Sequence, residues 1–219
     1  MTKTGNSITI RPARKEDAAE IARLIVVPWP VEAFLSQEKG RTVEDLVKLV
    51  EMAVRAEDTL YSYENTLVAV THHRTEKPIV GILTGYDGAE LHRLRRPVEK
   101  IFMRRNAPGT EPDKTDSHGA TPDDAENVVV EWEDETRAGE FYLDTLSVSP
   151  GYQRHGIGTA LIEAMCKRAA NLGHDTAGLL VDFDNPSAER LYLRLGFKMM
   201  DEVSFMGHRM KHLQKAVTL

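Results

Sequence analysis

The apolar positions change period along the chain, and those changes mark its elements. From Phe141 to Val148 (FYLDTLSV) the residues alternate as in a strand. Leu143, Thr145 and Ser147 fall on one face and Tyr142, Asp144, Leu146 and Val148 on the other. Ser149-Pro150-Gly151 breaks the strand. Ile157, Ala160, Leu161, Ala164 and Met165 then recur at helical spacing until Gly173 supplies a stop. Upstream, Ser7 to Arg11 reads as a short strand. Residues 15–27 read as a helix with Ala18, Ile21, Leu24 and Ile25 on one side, ended by Pro28-Trp29-Pro30. Thr42-Val43-Glu44-Asp45 is a capping-box pattern opening a second helix that carries Leu46, Val47, Val50 and Val54. Residues 66–71 and 78–86 predict an antiparallel hairpin joined by the polar run 72–77. After the central helix come a strand at 176–182 and a short helix capped by Asn185-Pro186 and closed by Gly196. Two closing strands follow at 198–202 and 204–214.

Residues 87–127 interrupt this rhythm. Their first part is basic, with Leu91, Leu94, Val98, Ile101 and Phe102 as a helical stripe and Pro97 as a kink or break. Their second part is rich in Pro, Gly, Asp and Thr and predicts a mobile loop. Residues 128–135 predict one more strand before the Arg137-Ala138-Gly139 turn.

The loop between the alternating strand and the central helix carries candidate chemistry. Gln153-Arg154-His155-Gly156-Ile157-Gly158 opens the helix, and its glycines allow a ligand close to the backbone. The first helical amides lack internal partners and sit at the positive end of the dipole, an arrangement suited to a pyrophosphate. A P-loop needs Gly-Lys-Ser/Thr, but Gly158 is followed by Thr159-Ala160. A dinucleotide fingerprint needs a small residue where Leu161 stands, although Asp182 follows at a tolerable distance. The third pattern is Gln/Arg-x-x-Gly-x-Gly/Ala after a strand ending Leu-x-Val-x-Pro. Leu146-Ser147-Val148-Ser149-Pro150 and Gln153 to Gly158 match it throughout. This stretch resembles the acetyl-CoA-binding motif of the GCN5-related N-acetyltransferases, the GNAT superfamily. The run from Asn185 through Ala188, Leu191 and Tyr192 to Gly196-Phe197 is similar to that superfamily's second signature.

The resemblance is to a RimI-like, single-domain acetyltransferase over residues 1–219 with an insertion at 87–127. It implies an α/β GNAT fold: a mixed, mostly antiparallel seven-stranded sheet flanked by helices, with splayed central strands. It implies transfer of an acetyl group from acetyl-CoA to a primary amine of a small molecule or peptide, by direct attack in a ternary complex. Cofactor contacts then fall to Leu146, Ser147, Val148, Gln153, Arg154, His155, Gly156, Ile157, Gly158, Thr159 and Asn185. The Leu146 amide would polarise the acetyl carbonyl, and Tyr192 would reprotonate the leaving thiolate. Asp144, sharing a face with Leu146 and Val148, is the candidate base; Glu140, Glu131 and Glu133 are weaker ones, and His208 is a candidate to line the acceptor side. The alternative is a non-catalytic acyl-CoA-binding or sensor domain that keeps the loop.

Composition narrows this little. The 219 residues are 41% hydrophobic and 28% charged, as in ordinary globular proteins. The formal net charge of −6 argues against nucleic acid and anionic membrane as partners. The lone Cys166 excludes an intrachain disulfide. The N-terminal residues show no signal-peptide pattern and no run is long enough to span a membrane, so a cytoplasmic location is expected. His72 and His73 point to opposite sides of an extended chain, so no metal site is expected there. A homodimer is a further expectation, and the insertion at 87–127 is expected to shape the acceptor pocket or a subunit contact.

Overall fold

The computed structural model describes residues 8–29, 31–32, 42–72, 78–103 and 133–218. Among them seven strands form one sheet: β1 (Ile8–Pro12), β2 (Thr66–Thr71), β3 (Ile79–Asp87), β4 (Phe141–Val148), β5 (Thr176–Asp182), β6 (Lys198–Phe205) and β7 (His208–Ala216). Their order is β1-β2-β3-β4-β5-β7-β6, and every neighbouring pair is antiparallel except β4–β5. A single parallel pair is not a doubly wound sheet, so the dinucleotide-fold reading falls.

Helices α1 (Ala18–Val26), α2 (Val43–Arg55) and α3 (Leu91–Met103) bury their apolar stripes against one side of the sheet, meeting Val68, Ile82, Tyr86 and Tyr142. Helix α4 (Ile157–Asn171) and the short α5 (Pro186–Arg194) pack on the other side with Leu83, Phe141, Leu143 and Phe197. The capping box forms as expected at α2. The Asp45 amide donates to the Thr42 hydroxyl (3.3 Å) and the Thr42 amide to the Asp45 carboxylate (3.2 Å). Helix α3 continues through Pro97 rather than breaking. Near that proline the Leu94 carbonyl accepts from the Leu60 amide (3.2 Å), which ties the helix to the segment after α2. Residues 104–127, the remainder of the expected insertion, and 128–132 of the expected strand lie outside the described residues. Residues 133–137, at the end of that expected strand, join no ladder; they are held by side chains instead.

The base of the parallel pair is locked by a buried ionic knot. Glu140, 1% exposed, precedes β4, and its carboxylate accepts from the Thr136 hydroxyl (2.8 Å), the Arg137 amide (3.2 Å), Gln214 Nε2 (2.7 Å) and His212 Nε2 (2.9 Å). Residue 178 must be glycine here, because a Cβ would stand 1.8 Å from a Glu140 oxygen. Burial opposes the Glu140 charge, but hydrogen bonds from His212, Gln214 and Thr136 hold its carboxyl below the usual range. The hydrogen bond to Glu140 raises the His212 imidazole against the opposing effect of burial. The Glu140 contribution is present above the ordinary carboxylate value of 4.5 and lost as pH falls through its lowered one. The His212 contribution is present below the ordinary imidazole value of 6.5 and lost as pH rises through its raised one. Glu140→Gln is therefore expected to cost about 3–5 kcal/mol near pH 5.5 and less at pH 8.5. Thermal unfolding at the two values checks this, and an equal loss at both would refute the ionic account.

Candidate active site

The β4–β5 ladder stops almost where it starts. Phe141 pairs with Ala177 and Tyr142 with Gly178; beyond them the strands separate. The Ser149 amide donates to the Val80 carbonyl of β3 (2.9 Å), so strand alternation turns the Leu146 and Val148 amides the other way, into the gap. Gln153 Nε2 donates to the Val148 carbonyl (2.9 Å) and ties the loop to the strand.

The loop itself is bent by two residues in left-handed backbone, Arg154 (φ 61°) and Gly156 (φ 83°). Glycine suits the second position because an L side chain there is strained. A Cβ on Gly156 would meet no atom of the described residues within 4 Å, so the space beside this backbone is open among them. The first internal bond of α4 runs from the Ala160 amide to the Gly156 carbonyl (3.0 Å). The amides of Ile157, Gly158 and Thr159 have no intrahelical carbonyl to bond. Ile157 is buried and pins the helix start, while Arg154 and His155 are exposed beside it. His155 Nδ1 lies 2.7 Å from the Gln153 carbonyl oxygen. Gly158 faces Leu191 of α5 and Leu146 of β4, at 3.5 and 3.8 Å from its would-be Cβ. The loop, the free edge of β4 and α5 thus converge.

Tyr192, next to Leu191, packs its ring against Phe197 on this side of the sheet, with centroids 5.9 Å apart. Burial raises its phenol to about 12, which keeps it protonated at neutral pH. Asn185 caps α5, accepting from the Ala188 amide (3.1 Å); that bond explains its presence without a ligand.

Asp144 is on the opposite side of the sheet. Leu83 pairs with Leu146 but Gly85 with Leu143, so Asp144 and Thr145 of β4 together oppose Thr84 of β3. This β-bulge shifts the alternation by one residue. Leu146 and Val148 therefore join Leu143 on the α4 side. Asp144 stays with Tyr142 on the side of α1 to α3, and does not share the face of Leu146 as strict alternation predicts. Ser147, opposite Ile82, is buried on that second side too. Asp144 Oδ1 accepts from the Thr145 hydroxyl (3.1 Å), but its buried Oδ2 has no hydrogen-bond partner among the described residues. Burial first and the Glu135 charge second push its carboxyl up to about 7.

The remaining carboxylates and histidines are accounted for differently. Glu140 is fully engaged in the knot described above. The Glu133 carboxylate takes the Met206 amide, and Glu131 lies outside the described residues. His208 is exposed and paired with Asp182 (3.2 Å). His72 bonds Thr9 (2.9 Å), and His73 lies outside the described residues. Cys166 is buried in α4, and burial pushes its thiol up. Among the described residues no group of three His, Cys, Asp or Glu could hold a metal, and no helix is long and apolar enough to cross a membrane.

Sequence reasoning missed the surroundings of Asp144: Tyr61, Tyr86 and Tyr142, all buried, together with Arg95 and Glu135. The tyrosines lie at strand-face and loop positions that any core aromatic would occupy. Arg95 lies within a basic run, where nothing distinguishes it from its exposed neighbours.

The sheet thus opens between its parallel strands, with a glycine-bearing helix start at the opening. The family model described as "Acetyltransferase (GNAT) family" matches residues 122–197. A solved structure titled as an acetyltransferase is similar over 95% of this chain and 99% of its own, with 31% identity and a TM-score of 0.72. An N-acetyltransferase from Staphylococcus aureus Mu50 is similar over 94% and 100%, with 20% identity and a TM-score of 0.71. The NatC complex bound to Gag peptide and CoA is similar over 97% and 99%, with 17% identity and a TM-score of 0.53. No curated protein matches the sequence. The chain belongs to the GNAT acetyltransferase family.

Proposed function

We propose that the protein moves an acetyl group from acetyl-CoA to a primary amine of a small molecule or peptide, by direct attack in a ternary complex. The observation that carries this reading is the β4–β5 gap with the Gly156 loop at its mouth. The residues fit acetyl-CoA. Open space beside Gly156, the free amides of the first turn and the exposed Arg154 suit a pyrophosphate. The Leu146 and Val148 amides suit an extended arm lying along β4. The NatC complex, similar in fold, is bound to CoA, which supports the same ligand class. When bound, acetyl-CoA would supply an acetyl thioester.

The chain's own groups divide the remaining work. The Leu146 amide donates to developing negative charge on the acetyl oxygen, without reorganisation. Asp144, as a carboxylate, accepts a proton from the acceptor's ammonium. The N–H bond breaks, an O–H bond forms on Asp144, and the neutral amine keeps the electron pair for attack. As nitrogen bonds to the acetyl carbon and the C–S bond breaks, the nitrogen would release its second proton to solvent, and Tyr192 would give its phenolic proton to the departing sulfur and regain one from solvent. Asp144 and Tyr192 flank the sheet from opposite sides, which keeps base and acid apart.

Isothermal titration with acetyl-CoA, followed by an amine panel with thiol detection, tests the proposal. Absence of cofactor binding overturns it; binding without thiol release from any amine favours a sensor. In Tyr192→Phe, turnover is expected to fall about a hundredfold while acetyl-CoA affinity changes little. Unchanged turnover removes Tyr192 as the acid.

A further inference from the structure

The parallel join divides the sheet into two ribbons, β1-β2-β3-β4 and β5-β7-β6. Two residue pairs, Phe141–Ala177 and Tyr142–Gly178, are all the ladder between them. At the foot of the gap, beside those pairs, four charged side chains run in one chain across the join. Arg137 Nη2 donates to Asp201 Oδ2 of β6 (2.7 Å). Asp201 Oδ1 lies 3.2 Å from His212 Nδ1 of β7, and His212 Nε2 lies 2.9 Å from Glu140 Oε2. Arg137 and Glu140 belong to the segment that enters β4, and Asp201 and His212 to the far ribbon. The chain thus starts and ends on one ribbon and passes through the other. Glu140 reaches β7 over Gly178, where no side chain blocks it.

Both ring nitrogens of His212 face carboxylate oxygens. An ionised carboxylate only accepts, so both nitrogens must donate, and an imidazole with two N–H groups is a cation. Neither acid is placed to supply the proton instead. Glu140 already accepts from the Thr136 hydroxyl, the Arg137 amide and Gln214. The hydrogen bond from Arg137 holds the Asp201 carboxyl below its ordinary value. We propose that His212 is an imidazolium that latches the two ribbons at the foot of the β4–β5 gap, and that loss of its Nδ1 proton to solvent at alkaline pH opens the latch on the Asp201 side. Nε2–H then still donates to Glu140, while the Nδ1 lone pair meets Asp201 Oδ1 and repels it. Asp201 is the partner that yields, because its bond is the longer and its side chain is 40% exposed, free to turn into water with Arg137. Glu140 is buried and has no such exit. The charged groups facing His212 are Glu140 and Arg137 from the segment before β4 and Asp201 from β6; β5 sets the uncharged Leu180 opposite it. On β7 itself, Lys211 turns to the other side of the sheet and pairs with Glu189 of α5 (2.7 Å). The latch belongs to the sheet and holds whether or not the protein transfers acetyl groups.

The test is a pH titration of the ligand-free protein, with histidine ring ¹⁵N spectra for His212 and amide hydrogen exchange, corrected for intrinsic rates, for the join. Both ring nitrogens of His212 should carry protons below its midpoint, and that midpoint should lie above the ordinary 6.5. Protection of the amides of Phe141, Tyr142, Ala177 and Gly178 should fall about tenfold as pH rises through it. In Asp201→Asn, which keeps an acceptor oxygen but removes the charge, the midpoint should fall by about one pH unit, and the loss of protection should move with it. A His212 with one protonated nitrogen throughout, or a midpoint at or below 6.5, overturns the proposal. Protection that stays level through the wild-type midpoint overturns it too, and neither measurement needs the variant to fold. An unmoved midpoint in folded Asp201→Asn also overturns it. Absence of acetyl-CoA binding overturns the acetyl-transfer reading instead and leaves these measurements untouched.

Discussion

Gly156→Asp is expected to lower acetyl-CoA affinity by roughly a thousandfold, and Gly156→Ala only several-fold. Both substitutions put a Cβ into left-handed backbone at φ 83°, where an L residue is strained by about 1 kcal/mol. That strain is shared, and among the described residues no atom lies within 4 Å to add a clash. The variants differ in charge. The carboxylate that Gly156→Asp introduces would face a pyrophosphate held by the amides of Ile157, Gly158 and Thr159. Repulsion at a separation of about 4 Å in a surface dielectric of about 20 lowers affinity by roughly a thousandfold. Raising salt should recover part of the loss in Gly156→Asp and little of that in Gly156→Ala. Calorimetric titration of both variants at two ionic strengths measures this. Equal losses in the two would mean that the loop makes no anion contact and that its glycine serves backbone geometry alone.

The loop was legible because its chemistry is local. Left-handed backbone, a helix start and free amides all arise within Gln153 to Gly158, and glycine advertises the conformation. Asn185-Pro186 at α5 and Thr42 to Asp45 at α2 were legible for the same reason: caps are written in adjacent residues. The side of the sheet to which Asp144 turns is not local. Neither glycine nor proline marks the bulge at Asp144 and Thr145. It is set by which residues of β3 they oppose, and β3 is more than fifty positions earlier. Strict alternation from Phe141 onward therefore runs correctly to Asp144 and then assigns Leu146 and Val148 to the wrong side. The error bears on mechanism: it would put the candidate base on the cofactor's side of the sheet. Arg95 and Glu135 meet from segments forty residues apart, within a basic and an acidic run that composition alone pairs only loosely. Their burial, which gives them leverage, is a property of packing around α3. Pro97 shows the converse. Its local signal for a break is strong, yet packing of Leu94 and Val98 into the core carries α3 past it.

Asp144→Asn should remove most of the activity and at the same time stabilise the protein at alkaline pH. The first effect follows from loss of the base: turnover is expected to fall by about 10²–10⁴-fold with acetyl-CoA affinity unchanged. The second follows from linkage. The carboxyl is pushed up to about 7 from an ordinary 3.8, first by burial, with Oδ2 unpartnered among the described residues, and second by the Glu135 charge. A raised carboxyl binds a proton in the folded chain that the unfolded chain has already released. Folding is therefore favoured as pH falls from above 7 toward 4, and ionised Asp144 opposes it above 7. Asparagine keeps an oxygen for the Thr145 hydroxyl and removes the charge, so the variant should unfold at higher temperature than wild type at pH 8.5. The gap should shrink or vanish by pH 5, where the wild-type carboxyl is already protonated. Thermal unfolding of both proteins across this range, with turnover at each pH, tests the two effects together. A variant equally stable at every pH would mean that Asp144 is solvated and carries no stored cost. A variant stabilised at pH 8.5 yet fully active would mean that the strain is real but serves something other than proton removal. Loss of activity with a pH-dependent gain in stability is the pattern expected of a base kept ready at the expense of folding.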